Sequence, residues 1–173
     1  MSPGGQQLAD FGTRLLAYLI DTAILTAVAV VVFVPTLLIF AVTRLDDLQP
    51  TYDGTPMVEP DIFGDLIRPL LLLDLGMILL LLVAYYFYYV EMMYRSGQTV
   101  GKKAMKIRVI PADPSTPTLT RGMAVKRYLV EIVAGVFLPF FSYLDGFWQL
   151  WDEPYQQTLH DKAAQTVVVK VAP

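Results

Sequence analysis

Along the chain, long apolar blocks alternate with polar segments. Residues 24–42 run for 19 positions without a charge, and residues 75–90 run for 16. With its flanks, each block is long enough as a helix to cross a hydrocarbon core of about 30 Å at about 1.5 Å per residue. The pattern predicts a first helix over about residues 11–42, with Pro35 inside it and a kink expected there, and a second over about residues 69–94. Proline is tolerated in such helices when neighbours satisfy the freed carbonyl. A third apolar segment, residues 128–151, is interrupted by Glu131, Pro139 and the Asp145-Gly146 pair. Two further full spans would need about 40 residues, so this segment is read as broken or re-entrant.

Two short stretches follow a different period. Met105, Ile107 and Val109 alternate with Lys106 and Arg108, and Val167, Val169 and Val171 alternate with Val168 and Lys170. Both read as half-apolar strands, and neither is stable alone in water. Pairing them gives a small sheet, which requires the tail, residues 152–173, to lie on the same side as the segment 95–127. The resulting fold class is an all-α membrane protein of one domain over residues 1–173. It has two transmembrane helices, a broken third segment and a two-stranded sheet on the cytoplasmic face.

Charge orients this arrangement. The segment 43–68 holds Asp46, Asp47, Asp53, Glu59, Asp61 and Asp65 against Arg44 and Arg68, whereas the segment 95–127 holds eight basic residues and one acid, Asp113. Loops rich in Lys and Arg stay in the cytoplasm. The basic loop and the N-terminus are therefore expected inside and the acidic loop outside, in a multi-pass protein of the plasma membrane. Composition agrees, with 55% hydrophobic residues and a mean hydropathy of +0.50, above ordinary soluble domains. The N-terminal residues lack a basic n-region, so the first span is expected to be retained. Absence of cysteine excludes disulfides, thiolate zinc sites and thiol catalysis.

Charged residues inside the apolar blocks are the candidate chemistry. Arg14 and Asp21 are seven positions apart, hence on one helix face, yet about 10.5 Å apart along the axis, and helical side chains lean towards the N-terminus. They do not form a pair, so each needs a partner from another segment. A carboxylate about 10 Å inside the hydrocarbon costs on the order of 2–3 kcal/mol. Asp21 is expected to pair with Lys102, Lys103 or Arg127, and Arg14 with Asp161 or Asp145. Two readings of these residues stay open, a structural ion-pair network and an ion- or proton-binding site. Asp74 and Glu91 are read as lying near helix ends, where interfacial water explains them.

Other motifs carry less. His160 is the only histidine and cannot build a multi-His metal site, so a capping or packing role is expected. The cluster "AYYFYYVEMMY" reads as an aromatic belt at the inner interface. "GQTVGKK" lacks the spacing of a phosphate-binding loop. No catalytic constellation stands out. The chain is read as a non-enzyme without cofactor or metal, and no nucleic-acid partner is expected.

The stretches "FGTRLLAYLID", "YRSGQTVGKKAMKIRVI" and "WDEPYQQTLHDKAAQTVVVK" together resemble the RDD family of small bacterial membrane proteins, named for one arginine and two aspartates. The resemblance places the arginine on Arg14 and the first aspartate on Asp21. The second falls on Asp161, with Asp145 in "YLDGFWQLW" as its rival. Gln165 stands where the family's tail has glycine, which is expected to alter the turn before the last strand without touching the charges. The resemblance implies transport of a small ligand or cation, including cation/proton exchange, by a homo-oligomer. The competing expectation is a non-transporting subunit of a larger membrane complex. The basic loop is expected to bind a partner or anionic lipids.

Overall fold

The computed structural model describes residues 1–45, 61–138 and 140–171. Asp46, Asp47, Asp53, Glu59 and Pro139 lie outside the described residues. The chain divides into two compact units: Met1–Leu25 with Leu82–Pro173, and Thr26–Leu81.

Helix α1 spans Phe11–Leu45. Asp10 caps it, accepting from the Thr13 backbone N–H at 2.9 Å and from the Thr13 hydroxyl at 2.8 Å. These bonds, with Lys170 at 3.0 Å, hold the Asp10 carboxyl below the usual carboxylate range. Pro35 lies within α1, which continues past it. Helix α2 spans Ile62–Ser96 and begins seven residues before the expected start at 69. Its opening residues, Ile62–Ile67, are wound as wide π turns. They sit just ahead of Pro69, which has no N–H for the carbonyl of residue 65, and Asp65 reaches back to accept from the Asp61 N–H at 3.1 Å. The earlier start moves Asp74 from a helix end to a position about 18 Å along the axis. There, within the smaller unit, it lines a cavity of about 270 Å³ with Thr36, Leu37 and Met77.

Both helices are long and apolar enough to cross a membrane, and only 6% of the most apolar stretch of each is buried. A core helix of a soluble protein would be covered by its own chain. Here the apolar side chains face outwards.

The larger unit packs a small core from Ala17, Tyr89, Val90, Met93, Ile107 and Val109. Helix α2 ends at Gly97, whose φ of 70° suits glycine. A Cβ there would stand 2.8 Å from the Val109 carbonyl oxygen. A short helix, α3 (Val100–Ala104), leads to strand β1 (Ile107–Pro111). A helix α4 over residues 121–137 follows, with its middle turns π-wound, then α5 (Phe141–Trp148), α6 (Leu159–Ala164) and β2 (Thr166–Lys170). Between α4 and α5 the backbone turns extended at Leu138 and left-handed at Phe140, so the third apolar segment is broken.

The expected sheet forms. Strands β1 and β2 pair antiparallel, from Ile107 opposite Lys170 to Pro111 opposite Thr166. The N-terminal segment covers the other edge of β2: the Ala9 N–H donates to Val168 and the Lys170 N–H to Gln7, both at 2.9 Å. Flanked on both edges, β2 buries Val167, Val168 and Val169 alike, where the alternation suggested one buried face. The turn before β2 places Gln165 at φ 54°, a left-handed position that glycine occupies without strain.

Candidate functional site

The larger unit is organised around two buried carboxylates. Asp161 is the third residue of α6, after the N-cap Thr158. Its backbone N–H donates to the Thr158 hydroxyl at 3.2 Å, and its Oδ2 accepts from the Thr158 N–H at 3.3 Å, completing a capping box. The same Oδ2 accepts from Arg14 Nη1 at 3.2 Å. Its Oδ1 accepts from Arg127 Nη1 and from the Thr166 hydroxyl at 3.2 Å. Burial by itself would raise the pKa of Asp161. The charges of Arg127, His160 and Arg14 more than reverse that, and the carboxyl is held below its usual range.

Arg14 uses every nitrogen. Nε donates to the Ala9 carbonyl at 3.2 Å, Nη1 to Gln156 at 2.8 Å as well as to Asp161, and Nη2 to Val168 at 3.3 Å. One guanidinium thus joins α1 to the N-terminal segment, the tail, α6 and β2.

Asp21 is equally inaccessible at 0% exposure, but its partners are uncharged. Oδ1 accepts from the Tyr88 hydroxyl at 2.5 Å and from the Gly101 N–H at 2.7 Å, and Oδ2 from the Thr99 hydroxyl at 2.5 Å. Tyr88 sits in a π-wound stretch of α2, Phe87–Glu91. Thr99 also caps α3. A Cβ at Gly101 would come within 2.8 Å of the Asp21 carboxyl carbon, so only glycine brings its N–H this close. The threonine and second glycine of "GQTVGKK" therefore hold a carboxylate instead of a phosphate.

Here the expected partnerships are corrected. Asp21 meets none of Lys102, Lys103 or Arg127; two hydroxyls and a backbone N–H occupy both of its oxygens. Arg127 goes to Asp161, Lys103 is exposed, and Lys102 is 9% exposed, its backbone N–H donating to the Thr99 hydroxyl and its ammonium having no hydrogen bond or ion pair among the described residues. Arg14 takes Asp161 rather than Asp145. Asp145 instead accepts from the His160 N–H at 2.8 Å and contacts His160 Nδ1 at 2.6 Å. His160 Nε2 lies 3.8 Å from Glu131. Glu91 lies opposite Arg121 at 3.1 Å, at the end of α2 where water was expected to satisfy it.

These groups line one cavity of about 640 Å³ within the larger unit. Arg14, Lys102, Arg127, Glu131, Asp145, His160 and Asp161 contribute its charged and ionisable wall, and Leu15, Leu19, Tyr143 and Phe147 part of its apolar wall. Sequence reasoning missed Tyr88, Thr99, Gly101, Glu131, Thr158 and Thr166 as members of these clusters. The T-x-x-D of the capping box was a readable signal for Thr158. Among the described residues no group of three or more His, Cys, Asp or Glu could hold a metal ion.

No curated protein and no solved structure matches the chain. The model of the RDD family matches residues 8–165. That match takes in Arg14, Asp21, Asp145 and Asp161, and it covers nearly the whole sequence, so this chain belongs to the RDD family.

Proposed function

We propose that this RDD-family chain is a multi-pass protein of the plasma membrane that binds a small ligand in the ionisable cavity and moves it within or across the bilayer. The observation that carries the reading is the cavity itself. It has the volume of a ligand site, and its lining combines seven charged or ionisable side chains with apolar ones such as Leu15, Leu19 and Phe147. Outward-facing apolar helices support the membrane setting. The basic loop supports a cytoplasmic N-terminus. The sheet supports a returning third segment, since β2 pairs with β1 on one edge and with the N-terminal segment on the other, and the three must share a side. At eight residues, α5 would reach only about 12 Å and favours a re-entrant limb. Two spans with such a limb are few to enclose a path, which favours a homo-oligomer. Exposed Lys103, Lys106 and Arg108 on the basic loop would attract anionic lipids.

A second reading, a non-transporting subunit of a larger membrane complex, is favoured by the full hydrogen bonding of Asp21 and Asp161. Carboxylates so occupied hold helices together and do not need to exchange an ion. Reconstituted vesicles separate the two. Proton-coupled Na⁺, Li⁺ or K⁺ flux, or movement of labelled phospholipid between leaflets, is expected from the wild type and is lost in Lys102→Met. No flux of either kind from the wild type, with recovery of one larger complex by cross-linking, overturns transport in favour of the subunit.

A further inference from the structure

The donors left unused in the cavity identify a class of ligand. Arg127 is 1% exposed. Its Nη1 serves Asp161 and the Thr166 hydroxyl, while its Nε and Nη2 are buried with no hydrogen-bond partner among the described residues. Buried donors are nearly always paired, so two orphans on one guanidinium ask for an acceptor that is not part of the chain. Lys102 also lines the cavity; the residue is nine-tenths buried, and its ammonium, unlike the two Arg127 nitrogens, is not itself a buried atom and has no partner among the described residues.

We infer that the cavity holds the oxyanion head of an amphiphile, with Arg127 Nε and Nη2 and the Lys102 ammonium as its donors; this rests on reading the cavity as a ligand site. The carboxylates on the wall do not compete for these donors. Asp161 is shared by Arg14 and Arg127, Asp145 is held by His160, and Glu131 has only the longer approach to His160. Arg14, Lys102 and Arg127 stand against Glu131, Asp145 and Asp161 in the lining. Recognition therefore comes from unsatisfied donors at one place, not from net charge. A guanidinium edge offering two N–H groups matches a phosphoryl or carboxylate group, and an ammonium adds a point charge. The rest of the ligand is apolar. The same lining includes Leu15, Leu19, Tyr143 and Phe147, which are 39–66% exposed, so a chain attached to the head has apolar side chains to cover it and a way to the outer surface of the unit.

The test uses the purified full chain in neutral detergent, titrated with dihexanoyl phosphatidic acid, dihexanoylglycerol and inorganic phosphate. Dihexanoyl phosphatidic acid is expected to bind saturably. Lys102→Met should weaken it by about tenfold, the loss of one charge-assisted contact. Dihexanoylglycerol, with the same tails and no oxyanion, should bind at least tenfold more weakly. Inorganic phosphate should bind more weakly still, because it leaves the apolar wall unused. Arg127→Lys probes the fork directly but also disturbs Asp161. Lys102→Met holds nothing else together and keeps the test decisive if Arg127→Lys does not fold. Equal affinity of Lys102→Met and wild type overturns the inference. Phosphate binding as tightly as the phospholipid overturns the amphiphile in favour of a free anion. Dihexanoylglycerol binding as tightly as phosphatidic acid overturns the oxyanion and leaves the cavity a ligand site. No binding of any probe overturns both.

Discussion

Asp21 and Asp161 are both 0% exposed, yet they are stabilised in opposite ways. Asp161 receives two guanidiniums, a hydroxyl and a backbone N–H from four separate stretches of chain. Asp21 receives two hydroxyls and one backbone N–H, from α2, the loop that follows it and α3. Removing the charge of Asp161 strands two buried arginines. Removing that of Asp21 strands no ion, and hydroxyl donors can rotate to become acceptors. Equal burial therefore does not mean equal consequence, because the cost of losing a buried carboxylate depends on what it leaves behind.

The largest expected effect tests that contrast at Asp161. Asp161→Asn should cost about 3–5 kcal/mol, because Arg14 and Arg127 lose their counter-charge; thermal unfolding in detergent and the yield of monodisperse protein measure it. Acid probes the same centre without mutation. A carboxyl whose folded pKa is depressed contributes stability above its unfolded value of 3.8 and loses it as pH falls further. The melting temperature should therefore drop below about pH 4, and less steeply in Asp161→Asn.

Gly101→Ala comes next, at about 1–3 kcal/mol, since its methyl group must displace the Asp21 carboxylate and the neighbouring α1 backbone. Asp21→Asn should cost about 1–2 kcal/mol, clearly less than Asp161→Asn, because an amide can still accept from Gly101 and Tyr88 while the Thr99 hydroxyl turns to accept from it. Equal losses for the two asparagine variants would show that the contrast between the centres is wrong. The smallest effect has the opposite sign. Gln165→Gly should stabilise by about 1 kcal/mol by relieving a left-handed residue, seen as a small rise in melting temperature.

Much of the fold was legible because its signals are local. Two uncharged stretches of helical length announce themselves in the composition of a single window. The strand pair was readable from two short alternating segments, although the N-terminal segment on the other edge of β2 and the burial of both faces of β2 were not. The geometry of one helix also showed that Arg14 and Asp21 could not pair with each other. The partners of Asp21 stayed hidden because they are uncharged, whereas a search for counter-ions looks only to lysines and arginines. The glycine spacing of "GQTVGKK" was visible, but its meaning depended on which acceptor the fold brought to it.

Thus the sequence by itself determined the long apolar helices, the opposite charges of their connecting segments, the pairing of the two strands and the need of Arg14 and Asp21 for separate partners. Tertiary structure alone decided that Asp161, 147 residues from Arg14, would answer it, that Asp21 would be served by neutral donors, and that Arg127 and Lys102 would reach one cavity with donors unspent. Helix length and charge depend on neighbours along the chain. Hydrogen-bond partnership depends on contacts between residues far apart in sequence, and only the packed chain brings those together.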